Sequence, residues 1–72
     1  MKNNVFGNRL KELRLQNGLT LQQLAEITFV SFSVIGFWER GESDNPSIKP
    51  LIALADYFDV SIDYLVGRKE DY

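Results

Sequence analysis

Residues 19–41 read "LTLQQLAEITFVSFSVIGFWERG", and this stretch contains two short helix signals separated by a few residues. Thr20 followed three positions later by Gln23 predicts a capping box, in which each residue satisfies a backbone N–H of the other. Ser31 repeats the start signal, and Gly41 is a natural stop because glycine adopts the left-handed conformation without steric cost. The stretch therefore predicts two helices joined by a tight turn.

Further helix signals lie on both sides of this stretch. Upstream, "FGNRLKELRLQN" (6–17) has apolar residues at helical spacing and is followed by Gly18 as a stop. Downstream, "SIKPLIALADYF" (47–58) and "VSIDYLVG" (60–67) each have, as first or second residue, a serine that can act as a cap. We expect six residues of the first downstream helix to point inward: Ile48, Leu51, Ile52, Leu54, Ala55 and Phe58. The fold class predicted from these patterns is all-α, a compact five-helix bundle with a helix-turn-helix at helices 2 and 3.

Size and composition narrow the possible functions. The chain has 72 residues, eight basic and ten acidic side chains, and no cysteine or histidine. We expect a single domain over residues 1–72, with an arm (1–5) and a tail (68–72) that are flexible. The residue types give no catalytic centre and no metal or cofactor site, so we expect no enzyme. No apolar run reaches the ~20 residues of a membrane span, which favours a cytoplasmic protein.

Four ordered segments resemble the lambda-repressor-like, Cro/cI-type helix-turn-helix domains of the Xre family. They are "NRLKELRLQNGLTLQQLAE", "SFSVIGFWERG", "NPSIKPLIALADYF" and "VSIDYLVGR", which together cover the chain roughly from residue 8 to 68. The resemblance implies a sequence-specific, repressor-like transcription regulator that binds double-stranded DNA as a homodimer on a pseudo-palindromic operator, with helix 3 in the major groove. It also implies an ion pair between Arg14 and Glu39 that joins helix 1 to helix 3.

The sequence departs from the family pattern on the surface that would meet DNA. Phe29 stands where the turn usually has glycine, which predicts either a different turn or a different end of helix 2. Leu21, Phe32 and Phe37 replace residues that are often polar. Three interpretations remain open for these apolar side chains and for Ile27: contact with thymine methyl groups, binding of a protein partner, or burial in the core.

Candidate DNA contacts follow from the resemblance and from side-chain chemistry. Ser33 is the polar candidate for a base edge or a phosphate, while Gly36 would allow close approach of the backbone. Cations and hydrogen-bond donors around helix 3 are candidates for phosphate contacts, and Asn3 and Asn4 in the arm could reach the opposite strand. The complete set of candidate DNA-binding residues is Arg9, Leu21, Gln22, Ser31, Phe32, Ser33, Gly36, Phe37, Arg40, Asn45, Ser47 and Lys49.

The charge distribution and the apolar residues near the carboxy terminus indicate which partners the chain could bind. The net charge of −2 argues mildly against nucleic acid, but residues 1–20 carry +3. Tyr57, Tyr64, Val66 and Tyr72 are candidates for a carboxy-terminal dimer surface. The alternative function is a protein-binding module on the same scaffold, antirepressor- or antitoxin-like, that uses the apolar face of helix 3.

Overall fold

A computed structural model describes residues 5–42 and 46–72, and these residues form five helices and no strand. The predicted all-α class is therefore confirmed. The predicted arm lies outside the described residues except for Val5. No helix in the described ranges is long and apolar enough to cross a lipid bilayer. The helices are α1 (Val5–Gln16), α2 (Leu21–Thr28), α3 (Phe32–Arg40), α4 (Ile48–Phe58) and α5 (Ile62–Leu65).

Local capping fixes where most of these helices begin. At the start of α2, the Thr20 hydroxyl accepts from the Gln23 N–H at 3.1 Å, and the Gln23 side chain accepts from the Thr20 N–H at 2.8 Å. Ser31 and Ser61 each accept from the backbone N–H three residues later, at the starts of α3 and α5. The predicted capping box and both serine caps are thus confirmed. Ser47 occupies the N-cap position of α4, but its side chain makes no capping hydrogen bond.

Each helix contributes one fully buried aliphatic side chain to the centre of the bundle. These five residues are Leu10, Leu24, Ile35, Leu54 and Leu65. α1 packs on α3, where the Phe6 and Trp38 rings meet edge to face with centroids 5.7 Å apart. Trp38 belongs to the core, since it is only 4% exposed. Because α3 packs against both α1 and α2, its position is fixed by the core.

The inward face of α4 is narrower than the sequence predicted. Leu51, Leu54 and Ala55 are buried, but Ile48 is 58% exposed and Ile52 is 45% exposed. The prediction that these two isoleucines point inward is wrong. At about 100° per residue, Ile52 is turned about a quarter of a circle away from Leu51. Ile48 lies at the first position of the helix, so two large apolar side chains of α4 remain at the surface.

The carboxy-terminal residues pack back onto the bundle. The Tyr72 carbonyl accepts a hydrogen bond from the Ser61 N–H at 2.9 Å, and the Tyr72 and Tyr64 rings pack edge to face with centroids 4.8 Å apart. Tyr64 is itself buried, with 9% exposure. It therefore belongs to the core, and its assignment to a dimer surface is wrong.

Candidate nucleic-acid interface

The turn between α2 and α3 keeps a left-handed residue at its centre. Phe29 ends α2 with φ 61° and ψ 32°, and its N–H donates to the Ala25 carbonyl at 2.8 Å. The Val30 N–H reaches the same carbonyl at 3.3 Å. Neither predicted alternative, a different turn or a different helix end, is needed. Phenylalanine itself takes the conformation that glycine adopts more readily.

A charged pair locks the inner side of α3 to α1. The Arg14 guanidinium donates twice to the Glu39 carboxylate, from Nε at 2.7 Å and from Nη2 at 2.9 Å. A third donation, from Nη1, reaches the Leu19 carbonyl at 2.9 Å. The hydrogen bond to Glu39 raises the pKa of Arg14. The ion pair implied by the resemblance is confirmed, and both side chains are too buried to serve as DNA contacts.

The outer face of α3 is exposed and mostly apolar. Phe32 is 52% exposed and Phe37 is 41% exposed, while Ser33 is also exposed. Phe29, in the preceding turn, is 93% exposed. We call Phe29, Phe32 and Phe37 the phenylalanine surface. Burial in the core, one of the three interpretations left open by the sequence, is wrong for these three residues.

Leu21 and Ile27 differ from the phenylalanine surface. Both are partly buried and pack against the core cluster. Their apolar character is therefore largely explained by the fold. Gln22, the next candidate on α2, is exposed to solvent. Of the α2 candidates, Gln22 is the one whose side chain is freer to meet a ligand.

Arg40 folds back over its own helix. Its guanidinium lies 5.2 Å from the centre of the Phe37 ring and donates to the Glu42 carboxylate at 3.0 and 3.3 Å. A Cβ on Gly36 would lie 3.0 Å from Arg40 Nη1, so the glycine makes room for this arrangement. Sequence reasoning did not identify Glu42 as a partner. The signal was a carboxylate two residues after Arg40, just beyond the glycine stop.

Candidate phosphate ligands surround the start of α4. Lys49 is exposed in its first turn, and the hydroxyl of Ser47 is not used for capping. Ser31 is exposed, but its hydroxyl already caps α3. Asn45, like Asn3 and Asn4, lies outside the described residues. The Lys49 ammonium group and the Ser47 hydroxyl therefore make none of the capping hydrogen bonds described above.

Arg9 is separated from this set by its contacts. Its Nη1 donates to the carbonyls of Tyr64 at 2.5 Å and Lys69 at 2.7 Å, and its Nη2 lies 3.3 Å from Glu70. The guanidinium also stacks 4.2 Å from the centre of the Tyr64 ring. These bonds tie α1 to the carboxy-terminal segment. The structure thus gives Arg9, predicted as a DNA contact, a structural role in place of a phosphate contact.

The part of the chain that the structure describes contains no cluster of side chains suited to holding a metal ion. No group of three or more acidic side chains there is arranged to hold a metal ion. What the described residues offer is a helix that is fixed on its inner side and exposed on its outer side. Such a helix is suited to recognition of a surface or a groove.

Comparison with known families identifies the class. Residues 10–65 match the family described as Helix-turn-helix. The chain belongs to this family, and the resemblance to Cro/cI-type domains, which are found in DNA-binding transcription regulators, is confirmed. α2 and α3, the two helices joined by the tight turn, both lie within the matched residues.

Two relatives illustrate the sequence similarity. The chain is 39% identical over 67 residues to the uncharacterized HTH-type transcriptional regulator YobD of Bacillus subtilis (strain 168), covering 93% of this chain and 59% of YobD. It is 34% identical over 67 residues to the HTH-type transcriptional regulator SinR of Bacillus licheniformis, covering 93% of this chain and 60% of SinR. The chain thus spans about three fifths of the length of these relatives.

Solved structures share the fold over most of the chain. The P22 c2 repressor in complex with a synthetic operator superposes with a TM-score of 0.82 at 29% identity, covering 90% of this chain and 97% of the repressor chain. SinR in complex with DNA superposes with a TM-score of 0.77 at 36% identity, covering 85% of this chain and 97% of the SinR chain. Both similar structures are complexes with DNA.

Proposed function

We propose that this chain is the DNA-binding module of a transcription regulator and that α3 lies in the major groove of its operator. The observation that carries the proposal is the two-sided character of α3. Its inner side is fixed by the core and by the Arg14–Glu39 pair, while Phe32, Ser33 and Phe37 remain open to solvent. A groove-binding helix needs this combination, because base contacts specify only when the helix is held in register.

Phosphate contacts at the end of α3 and the start of α4 would supply much of the affinity. Lys49 and Ser47 lie at the start of α4, where free backbone N–H groups and the helix dipole favour an anion. Arg40, at the end of α3, is exposed and could exchange Glu42 for a phosphate. These positions support DNA as the partner despite the net charge of −2. The acidic side chains of residues 50–67 would face away from the duplex.

A dimer is the expected binding unit. One module with so few cations should bind weakly, whereas two copies would combine their contacts across half-sites about 34 Å apart. Tyr57, Val66 and Tyr72 are exposed on the carboxy-terminal side and offer apolar area for pairing. Sedimentation at several protein concentrations, with and without DNA, tests this expectation separately from DNA binding itself.

Fluorescence anisotropy with labelled genomic fragments tests the proposed function. Saturable binding to a minority of fragments is expected, and the affinity should fall steeply as salt rises because phosphate contacts release counterions. Lys49→Ala should weaken binding to all bound fragments and lower the salt slope by about one. Glu26→Ala, at an exposed position of α2, is the matched control that removes a charge of the opposite sign. A folded protein that binds no fragment at tens of micromolar would contradict the proposal.

A protein partner is the second candidate, and the phenylalanine surface is the observation that favours it. Three exposed aromatic rings are typical of a protein contact as well as of a DNA contact. One similar structure is a complex of SinR with the protein SinI. Apolar protein binding should change little with salt, so the salt dependence of whichever ligand binds separates the two candidates.

A further inference from the structure

The phenylalanines of α3 lie at the two margins of its outer face. At about 100° per residue, Phe32 and Phe37 are about 140° apart around the helix axis, with Gly36, Arg40 and Ser33 between them. Phe32 and Phe37 are exposed, whereas Gly36 between them is buried, and a Cβ at Gly36 would lie 3.0 Å from Arg40 Nη1. If α3 enters a groove with this face, the two rings face opposite walls, with Arg40 and Ser33 between them.

Hydrogen-bonding groups for base readout are scarce on this face. Ser33 supplies one hydroxyl, and the Arg40 fork is directed to Glu42 and packed over Phe37. A phenyl ring neither donates to nor accepts from guanine, adenine or cytosine edges as an amide or guanidinium does. The C5 methyl of thymine is the apolar group that the major groove displays.

We propose that Phe32 and Phe37 read thymine methyl groups, one on each strand of a half-site, and that these contacts determine the operator sequence. This inference rests on the proposed function. The two residues are about 7.5 Å apart along the helix axis, which corresponds to roughly two base-pair steps if the helix follows the groove. Each half-site should therefore contain two thymines on opposite strands, about two steps apart.

The expected effect of one methyl group is measurable. Removal of a buried methyl from the contact should weaken binding about fourfold. Replacing thymine by deoxyuridine removes this methyl and leaves every hydrogen-bonding group of the base in place. A dimer that buries the same methyl in both half-sites should lose about sixteenfold when both are replaced, provided that the half-sites act independently.

The test begins with selection of bound duplexes from a random-sequence pool. Each thymine of the selected site is then replaced by deoxyuridine in turn, and affinities are measured at fixed salt. Two positions per half-site should show the fourfold loss, and uridine in the flanking sequence should have no effect. In Phe32→Ala and Phe37→Ala, each ring deletion should abolish sensitivity at its own thymine and preserve it at the other. Leu15→Ala, which shortens an exposed apolar side chain on α1, should preserve both.

The outcomes separate the two levels of the argument. Failure to select any duplex with a folded protein would overturn the proposed function and this inference together. A selected site that binds equally well with deoxyuridine at every position would overturn this inference while the proposed function stands. Loss at thymines that persists unchanged in both alanine variants would also overturn it, because the methyl contacts would then belong to other residues.

Discussion

Replacement of Phe29 by glycine should stabilise the protein. An L-residue in the left-handed conformation carries a cost of about 1–2 kcal/mol, and Phe29 takes this conformation with φ 61°. Glycine avoids that cost but gains freedom in the unfolded chain, which returns about 0.5–1 kcal/mol. The ring is 93% exposed, so its removal forfeits little burial. The net gain in the free energy of unfolding should be about 0.5–1 kcal/mol. For a chain of this size, each kcal/mol raises Tm by about 4–8 °C.

Thermal and urea unfolding followed by circular dichroism measure this gain. Phe29→Ala is the matched control, because alanine removes the ring but keeps the Cβ that causes the strain. Its stability should stay within about 0.5 kcal/mol of the parent. Phe29→Asn should fall between the two, since asparagine tolerates the left-handed region better than most residues. A glycine variant no more stable than the alanine variant would refute the reasoning.

Three further predictions concern capping, charge and pH. Thr20→Ala should destabilise the fold by about 1 kcal/mol in urea unfolding, whereas Ser47→Ala should cost less because its hydroxyl makes no capping bond. Glu42→Gln should release Arg40; DNA affinity should rise and the salt slope should steepen by up to about one, and an unchanged slope would mean that Arg40 contacts no phosphate. Burial raises the pKa of Tyr64, so its contribution to stability is present below the unfolded pKa and is lost as the pH rises through the folded value. Tyr64→Phe should lessen this alkaline loss of stability, and an identical pH profile would contradict the assignment.

Local signals explain why so much of the fold was predictable from the sequence. The Thr20–Gln23 pair, the Ser31 cap and the Gly41 cap each act within about one helical turn, so their roles depend little on the rest of the chain. The pairing of helices was predictable for a different reason, namely the resemblance to a family. Neither source of information specifies how wide the buried face of a helix is, which is why Ile48 and Ile52 were misplaced.

Long-range packing decided the residues whose roles differed from prediction. The sequence predicts that Arg9 is a surface cation. In the structure its guanidinium donates to the carbonyl of Tyr64, 55 residues later in the chain. Phenylalanine locally disfavours the left-handed conformation, but the tertiary structure holds Phe29 in it. No local pattern reports such contacts, so the candidate interface could be outlined from the sequence but not resolved residue by residue.

The central claim is that the outer face of α3 and the start of α4 meet the duplex. Backbone amide shifts of ¹⁵N-labelled protein, recorded during titration with a selected duplex, test it most directly. The account predicts the largest changes at Phe32, Ser33, Gly36, Phe37 and Lys49, with small changes along α5. Large changes confined to the exposed carboxy-terminal side, with α3 unaffected, would contradict it.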